Sequence, residues 1–229
     1  MKIGVMQPYF FPYLGYWQLI NSVDIFIVYD DVTYIKGGWI NRNQFLMNHE
    51  KKLFSISLNG SSSYKLINEI EIKDDFVKFL KMIKTNYSKA PFFKNTLSLI
   101  EDIVSYENKN LAYFLQNSIV SILKYLAIDK PVILSSNIDN DKSLSGQSKI
   151  LDICNTLNAD TYINSIGGQN LYSRDDFQKE NKSLFFIEPC PHSYSQFNDG
   201  FVSDLSILDI LMFNSIDDTK KLLTNYKLI

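Results

Sequence analysis

Cysteine, histidine and tryptophan are scarce in this chain of 229 residues, which contains two of each. Two cysteines cannot form the disulfide framework that stabilises small secreted proteins, and a chain of this length buries enough apolar surface to fold without one. The net charge of −2 gives no basic excess of the kind that marks a nucleic-acid-binding protein. No segment approaches 18 uninterrupted apolar residues, so we expect no membrane span.

The amino terminus and the overall composition predict an ordinary cytoplasmic domain. The first apolar run, residues 3–6, ends at Pro8 and is too short for the core of a signal peptide. Hydrophobic residues make up 45% of the chain and charged residues 21%, which is typical of globular proteins. The length predicts a single α/β domain over residues 1–229.

Aromatic residues are the abundant class, at 14% of the chain, with 14 tyrosines and 16 phenylalanines. We expect most of these aromatic residues to lie in the core. Tyrosine also lines sugar and nucleotide pockets, because it combines a flat apolar face with a polar tip. The tyrosines that fall in loops are therefore candidates for substrate contact.

Apolar runs separated by helical segments predict an α/β fold with a mostly parallel sheet and flanking helices. Strands over residues 2–7 and 24–29 flank a short helix over 15–21, and such a strand–loop–helix–strand unit joins parallel strands. A helical insertion is predicted over about 74–127, in the middle of the chain. The elements expected elsewhere are strands at 52–58, 67–72, 132–135, 161–164 and 184–187, and helices at 145–158, 205–212 and 215–226.

The loop after the first strand is rich in proline and tyrosine. Pro8 and Pro12 hold it extended, and open α/β sheets bind ligands where a strand ends and a helix begins. The pattern weakly resembles an early loop of nucleotidyltransferase-like enzymes, in which histidines bind a triphosphate. Tyr13 and Tyr16 stand in place of those histidines, which argues against ATP binding at this loop. We expect Gln7, Tyr13 and Tyr16 to contact substrate. The alternative is a rigid aromatic loop that only packs.

Two adjacent carboxylates, Asp30 and Asp31, end the second strand. Paired acids at a strand end can hold a divalent cation, act as a general base or accept hydrogen bonds from sugar hydroxyls. Neighbours on a strand point to opposite faces, so we expect at most one of them to face a pocket unless the strand has already ended. The alternative is that both acids simply form a turn.

Residues 36–43 combine cationic, amide and aromatic side chains in one short loop. Trp39 supplies a stacking face, and two neighbouring glycines let the backbone approach a ligand closely. The side chains with donors suited to phosphate or carboxylate are Lys36, Asn41, Arg42 and Asn43. We expect this loop to bind a nucleotide diphosphate or a sugar.

A second glycine-containing turn, at Gly167 and Gly168, follows a later strand and is flanked by amides and Tyr172. A strand end followed by two glycines is typical of a ligand-facing turn. It is equally typical of a plain turn, and both interpretations stay open. Under the first, Gly167, Gly168 and Tyr172 contact substrate.

The remaining candidates for chemistry are the cysteines and histidines. Cys190 and His192 lie together between prolines, as a metal-ligating or nucleophile–base pair would, but two residues are too few for a zinc site. The alternative is a rigid loop bounded by proline. We expect His49 to be solvated and Cys154 to lie in the core.

Several of these motifs together resemble the WbqC-like family. The most specific stretches are residues 6–16 and 30–43, which contain the two candidate loops and the paired aspartates. Weaker similarities follow in the same order along the chain, at residues 87–93, 166–172 and 205–209. The resemblance therefore runs nearly from end to end.

The resemblance implies a bacterial cytoplasmic protein of surface-polysaccharide (O-antigen, lipopolysaccharide) synthesis, of a kind that accompanies enzymes making dTDP-linked amino sugars. By inference, it implies a transferase that acylates or aminoacylates, for example with glycine, the amine of a nucleotide-linked amino sugar. No catalytic roles come with the family, so the motif residues transfer only as pocket residues. In this hypothesis Asp30 or Asp31 accepts the amine proton. The activated donor is a thioester, an aminoacyl-tRNA or an ATP-derived adenylate.

Two other functions fit the same residues. One is a glycosyl- or nucleotidyltransferase in which Asp30 and Asp31 bind a metal ion, which a chelator would inhibit. The other is a protein that binds a sugar nucleotide tightly without catalysis. Replacing Asp30 and Asp31 by asparagine would then change no reaction.

Overall fold

The computed structural model describes residues 1–48, 50–197 and 200–229, so the expectation for His49 lies outside the described residues. The strands are β1 (Lys2–Met6), β2 (Ile25–Val28), β3 (Arg42–Met47), β4 (Glu50–Ser55), β5 (Leu58–Asn59), β6 (Glu71–Ile72), β7 (Val132–Leu134), β8 (Thr161–Ser165), β9 (Ser183–Pro189) and β10 (Tyr226–Leu228). The helices are α1 (Leu14–Ser22), α2 (Val77–Tyr87), α3 (Phe93–Val104), α4 (Leu111–Tyr125), α5 (Gly146–Thr156), α6 (Arg174–Lys179), α7 (Ile207–Phe213) and α8 (Ile216–Leu223).

A six-stranded sheet in the order β10-β9-β8-β1-β2-β7 forms the centre of the fold. Its strands run parallel except β10, which pairs antiparallel with β9. This confirms the predicted α/β fold with a mostly parallel sheet. The chain leaves β1 toward β2 but leaves β8 toward β9 on the opposite side, so the neighbours β1 and β8 mark the point where the strand order reverses. Ligands of open α/β sheets bind at the carboxyl ends of the strands beside such a point.

Each face of the sheet is covered by its own apolar cluster, which explains why the inner strands are apolar on both sides. Phe26 and Val28 of β2 face the larger cluster, which includes α1 and the helices α2–α4 of the predicted insertion. Ile27, between them, faces the smaller cluster beneath α5 and α6. Cys154 is fully buried there, as expected, and burial raises the pKa of its thiol to about 12.

The structure differs from the sequence prediction at polar or short elements. Residues 42–47 form β3 of a hairpin with β4, where a loop was expected up to residue 43. The predicted edge strand over 67–72 is a 3-10 turn, Ile67–Glu69, followed by the two residues of β6. The last helix ends at Leu223, and Tyr226–Leu228 forms an edge strand in its place. The short helix α6 was not predicted.

Across the described residues, no helix has both the length and the apolar character needed to cross a membrane.

Candidate functional site

Polar side chains gather at the carboxyl ends of β2 and β7, which are parallel neighbours. Asp30 and Asp31 follow β2, while Ser135 and Ser136 open the 3-10 turn after β7. Because parallel strands end at the same edge of a sheet, the two segments meet although about a hundred residues separate them. The turn after β7 then leads into α5, which carries Lys149 back over the same edge.

The Asp30 carboxylate is fully buried and accepts hydrogen bonds on both oxygens. Oδ1 accepts from the Ser136 amide at 2.9 Å, and the Ser135 hydroxyl oxygen lies 3.0 Å from it. Oδ2 accepts from the Ser136 hydroxyl at 2.7 Å and from the Asn68 side chain at 3.2 Å. Asp30 therefore fixes the turn after β7 and a neighbouring loop, and its lone pairs are committed to the protein.

Asp31 forms an ion pair with Lys149 that is almost completely enclosed. Lys149 Nζ lies 2.9 Å from Asp31 Oδ2, and the two side chains are 4% and 9% exposed. Lys142 Nζ lies 3.4 Å from the same oxygen, and the Ser135 hydroxyl donates to the other. Burial by itself raises the pKa of Asp31, but the Ser135 hydrogen bond and the two ammonium groups outweigh it and hold that pKa below its usual range. Asp31 is therefore ionised at neutral pH.

Sequence reasoning missed Lys142 and Lys149. Together with the two carboxylates and the turn after β7 they form the Asp31 cluster, which consists of Asp30, Asp31, Ser135, Ser136, Lys142 and Lys149. Lys142 Nζ also donates to the carbonyls of Ser135 and Ile138 and to the Asn140 side chain, at 2.7 to 2.9 Å. Lys149 Nζ also donates to the Asp31 carbonyl at 3.2 Å and lies 5.2 Å from the centre of the Tyr29 ring. The only sequence signal for Lys149 was its place on the apolar face of a predicted helix, beside Ile150.

Tyrosines lie both at this cluster and beside β8. Burial raises the pKa of Tyr29, with smaller contributions from the charge of Asp31 and from Tyr172. Tyr162 packs edge-on against Tyr172, and its hydroxyl donates to the Tyr172 hydroxyl at 3.2 Å. Tyr172, one of the predicted substrate contacts, thus belongs to an aromatic group with Tyr162 and Phe177.

The predicted Gly-Gly turn lies at the end of β8, beside the strand-order reversal. Gly167 and Gly168 open the 3-10 turn Ile166–Leu171. A Cβ at Gly168 would lie 2.9 Å from Asn164 Nδ2, so a larger residue there would have to displace the Asn164 side chain, whereas Gly167 faces open space. Gln7 follows β1 at the same edge, and its carbonyl accepts a hydrogen bond from Tyr16 at 3.1 Å.

The loop over residues 36–43 is stabilised by several of the side chains predicted to bind ligand. Arg42 donates to the carbonyls of Gly37 and Gly38 and lies 5.9 Å from the Trp39 ring centre. Asn41 accepts from the Tyr34 hydroxyl at 2.8 Å and donates to the Ile56 carbonyl at 2.9 Å. Lys36 and Trp39 are exposed, so in the structure as it stands they are the residues of this loop best placed to meet a ligand.

Asn43 ties β3 to the proline-rich loop. Its buried amide donates to the carbonyls of Phe10 and Phe11 at 3.0 and 2.8 Å, which uses both hydrogens of the amide group. We expect Asn43→Ala to lower the free energy of unfolding by about 1–3 kcal/mol, because the Phe10 carbonyl loses its donor and the Phe11 carbonyl keeps only the Ser206 hydroxyl. Denaturant unfolding measures this, with the exposed Asn59→Ala as the control. Equal stability of the two variants would contradict the structural role of Asn43.

Tyr13 and Tyr16 are separated from the Asp31 cluster. Tyr16 is buried in the larger apolar cluster, where its hydroxyl is bonded to Gln7. Tyr13 lines a cavity of about 70 Å³ with His192, Tyr194 and Asp204. Cys190 does not line this cavity, and its backbone amide bonds to Asn225. The structure thus gives His192 neighbours other than Cys190.

A second buried carboxylate, Asp209, lies at the amino-terminal turn of α7. It accepts hydrogen bonds from the hydroxyls of Tyr87 and Tyr194 and from the Gln196 amide, at 2.7 to 3.0 Å. Burial raises its pKa, although these three bonds counter the effect. Gln196 in turn bonds both backbone groups of Val202, so Asp209 anchors the segment after β9.

The described residues contain no group of three or more His, Cys, Asp and Glu side chains arranged to hold a metal ion. Asp30 and Asp31 are adjacent, but their oxygens face serine hydroxyls, amides and lysines. A cation shared by the two carboxylates would have to replace these donors.

Comparison with known proteins places the chain in a family. A protein of Mycobacterium tuberculosis (strain ATCC 25618 / H37Rv), named "Uncharacterized protein Rv1507c", is 24% identical to the chain over 215 residues, which cover 92% of each protein. No solved structure matches. The family model described as "WbqC-like protein family" matches residues 7–221, which include every residue of the Asp31 cluster. The chain therefore belongs to the WbqC-like protein family.

Proposed function

We propose that this protein transfers an acyl or aminoacyl group to the amine of a nucleotide-linked amino sugar in the synthesis of a bacterial surface polysaccharide. The observation that carries the proposal is the Asp31 carboxylate, which is kept ionised at the carboxyl edge of a parallel sheet. A carboxylate in that state attracts the ammonium form of a sugar amine. Membership of the WbqC-like family supports an enzymatic role.

The geometry favours Asp31 over Asp30 as the group that meets the amine. Asp30 already accepts three hydrogen bonds from Ser136 and Asn68 and is completely enclosed. Asp31 accepts a single hydrogen bond from a hydroxyl and is otherwise balanced by lysine charge. Asp30 is a positioning residue in this scheme, because it fixes Ser135 against Asp31.

The proposed reaction forms a bond from the sugar nitrogen to the acyl carbon and breaks the bond from that carbon to its leaving group. The neutral amine attacks, Asp31 accepts the proton that the nitrogen loses, and the leaving group departs with its bonding electron pair. Lys142 and Lys149 supply positive charge against the oxyanion of the tetrahedral intermediate. The donor is a thioester, an aminoacyl-tRNA or an adenylate. The lowered pKa makes Asp31 a weak base, so the ammonium form of the amine has to lose its first proton to solvent. We expect the rate to rise with pH, as more of the amine becomes neutral.

The remaining predicted residues have separate roles in this scheme. Tyr172 and the turn at Gly167 and Gly168 follow β8, and Gln7 follows β1, at the carboxyl edge of the sheet where Asp31 follows β2. On the other side, the loop with Lys36 and Trp39 leads away from Asp31 and is proposed to hold the nucleotide. Asn41, Arg42 and Asn43 support that loop from within. Tyr13 and Tyr16 support the proline-rich loop rather than touching the amine.

The test is to incubate the purified protein with a dTDP-linked amino sugar and each class of donor, and to detect the acylated sugar by mass spectrometry. We expect a product with one donor class, and about a 10²- to 10⁴-fold loss of rate in Asp31→Asn. The control is Asp217→Asn, an exposed aspartate of α8, which should react at the wild-type rate. Failure of every donor to give a product would refute the proposal.

A folding defect must be separated from a loss of chemistry, because Asp31→Asn leaves Lys149 without its counter-charge. Rates are therefore expressed per mole of folded protein, measured by circular dichroism. The double variant Asp31→Asn with Lys149→Met removes both charges, so we expect it to be more stable than Asp31→Asn alone and equally inactive. Activity of the folded double variant near the wild-type rate would exclude Asp31 from the reaction.

A further inference from the structure

A short two-stranded ribbon leads from the Asp31 cluster to the loop that contains Trp39. It consists of residues 30–34 paired antiparallel with residues 65–68. The Asn68 amide donates to the Asp30 carbonyl at 3.1 Å, and at the other end the Tyr34 amide donates to the Lys65 carbonyl at 2.9 Å. Between them lie the Ile67 to Val32 bond at 3.0 Å and a bridge between Thr33 and Leu66.

The ribbon fixes the distance between its two ends. Tyr34 is the third residue after Asp31. An extended chain rises about 3.3 Å per residue, so Asp31 and Tyr34 are about 10 Å apart. That length is comparable with a diphosphate plus the sugar that it carries. The far end is also where the backbone enters the two loops over residues 35–41 and 60–64.

The far end of the ribbon presents aromatic rings and cations to solvent. Tyr64 is 96% exposed and Trp39 is 42% exposed. Lys36, in the same loop as Trp39, and Lys65, next to Tyr64 in the chain, are also exposed. Glu69, the first acid after Lys65 in the chain, accepts a hydrogen bond from the Leu66 amide on its carboxylate at 2.8 Å. Exposed aromatic rings next to cations are the combination with which proteins stack nucleobases and bind phosphate.

We propose that the ribbon is the binding site for the nucleoside diphosphate part of the nucleotide sugar. This inference rests on the proposed function. The base stacks on Trp39 and Tyr64, the diphosphate lies against Lys36 and Lys65, and the sugar amine reaches Asp31. The pairing of residues 30–34 with residues 65–68 sets the spacing between base and amine. Tyr64 and Lys65 become specificity residues that lie outside the motif of residues 30–43.

The test is binding of dTDP and of UDP alone, by calorimetry, without sugar or acyl donor. We expect both to bind, and Tyr64→Ala and Trp39→Ala each to weaken binding about 5- to 100-fold, the range for loss of one stacked ring. Tyr64→Phe keeps the ring and should bind like the wild type. Lys65→Gln should weaken binding and flatten its salt dependence. Tyr113→Ala, which removes a partly exposed tyrosine of α4, is the control and should have no effect.

At 96% exposure Tyr64 contributes little to folding, so Tyr64→Ala tests binding without a folding defect. An unchanged affinity of both Tyr64→Ala and Trp39→Ala would overturn the inference. Absence of dTDP and UDP binding to the wild type would overturn it too. Tighter binding of a short single-stranded oligonucleotide at the same residues would assign the patch to a tRNA donor instead. Acyl transfer that is unaffected by Tyr64→Ala would refute the inference and keep the proposed function, whereas ring-dependent dTDP binding without acyl transfer would do the reverse.

Discussion

Replacing Lys149 by methionine is expected to lower the free energy of unfolding by about 3–5 kcal/mol, the range for breaking one side of a buried ion pair. Asp31 and Lys149 are 9% and 4% exposed, so neither charge is screened by water when the other is removed. Methionine fills most of the lysine volume, so the loss reflects an Asp31 carboxylate left with the half-exposed Lys142 as its remaining cation. Denaturant unfolding at neutral pH measures it.

The pH dependence of stability gives an independent check on the same pair. The pKa of Asp31 is lower in the folded protein than in the unfolded chain, so its contribution to stability is present above the unfolded pKa, near 4. It is lost as the pH falls through the lower, folded pKa. In Lys149→Met the main cation beside Asp31 is gone while burial remains, so we expect stability to depend less steeply on acid than in the wild type.

The surface pair of Lys179 and Asp176 is the matched control. Their atoms are 2.8 Å apart, as close as in the buried pair, but the side chains are 74% and 42% exposed. We expect Lys179→Met to leave the unfolding midpoint nearly unchanged, because water and salt screen an exposed pair. Equal effects of the two lysine variants would show that Lys149 and Asp31 are not enclosed as the structure describes.

The apolar parallel strands were predictable because both of their faces are buried. β1, β2 and β8 appear in the sequence as short apolar runs, and the predicted strands overlap all three. β3 was not predicted as a strand, because Asn43 occupies an inward position next to the buried Phe45, which interrupts the alternation of apolar and polar residues. The inward asparagine is explained only by the Phe10 and Phe11 carbonyls, which come from a distant loop.

The candidate site was predictable in part for the same reason. The adjacency of Asp30 and Asp31 and their place after a strand can be seen in the sequence. Their different surroundings cannot, because Ser135, Ser136 and Lys149 lie more than a hundred residues away along the chain. Lys149 in particular stands on a helix where a lysine is ordinarily solvated. A long-range pairing of β2 with β7 is what converts it into the partner of Asp31.

The two aspartates are expected to fail in different ways when they are replaced. Asp30→Ala leaves the Ser136 amide and the Asn68 side chain without their buried acceptor, so we expect it to lower the free energy of unfolding by at least about 3 kcal/mol. Ser136→Ala removes one of these bonds and should cost less.

Acyl transfer per mole of folded protein separates the roles. Because Asp30 acts only by positioning Ser135 and Ser136, the fraction of Asp30→Ala that folds should keep activity within about tenfold of the wild type, well above the loss expected for Asp31→Asn. If Asp30→Ala unfolded at the wild-type denaturant concentration and yet lost all activity, Asp30 would be the group that meets the amine. The assignment of the proton acceptor would then pass from Asp31 to Asp30, and the three hydrogen bonds to Asp30 would have to rearrange when substrate binds.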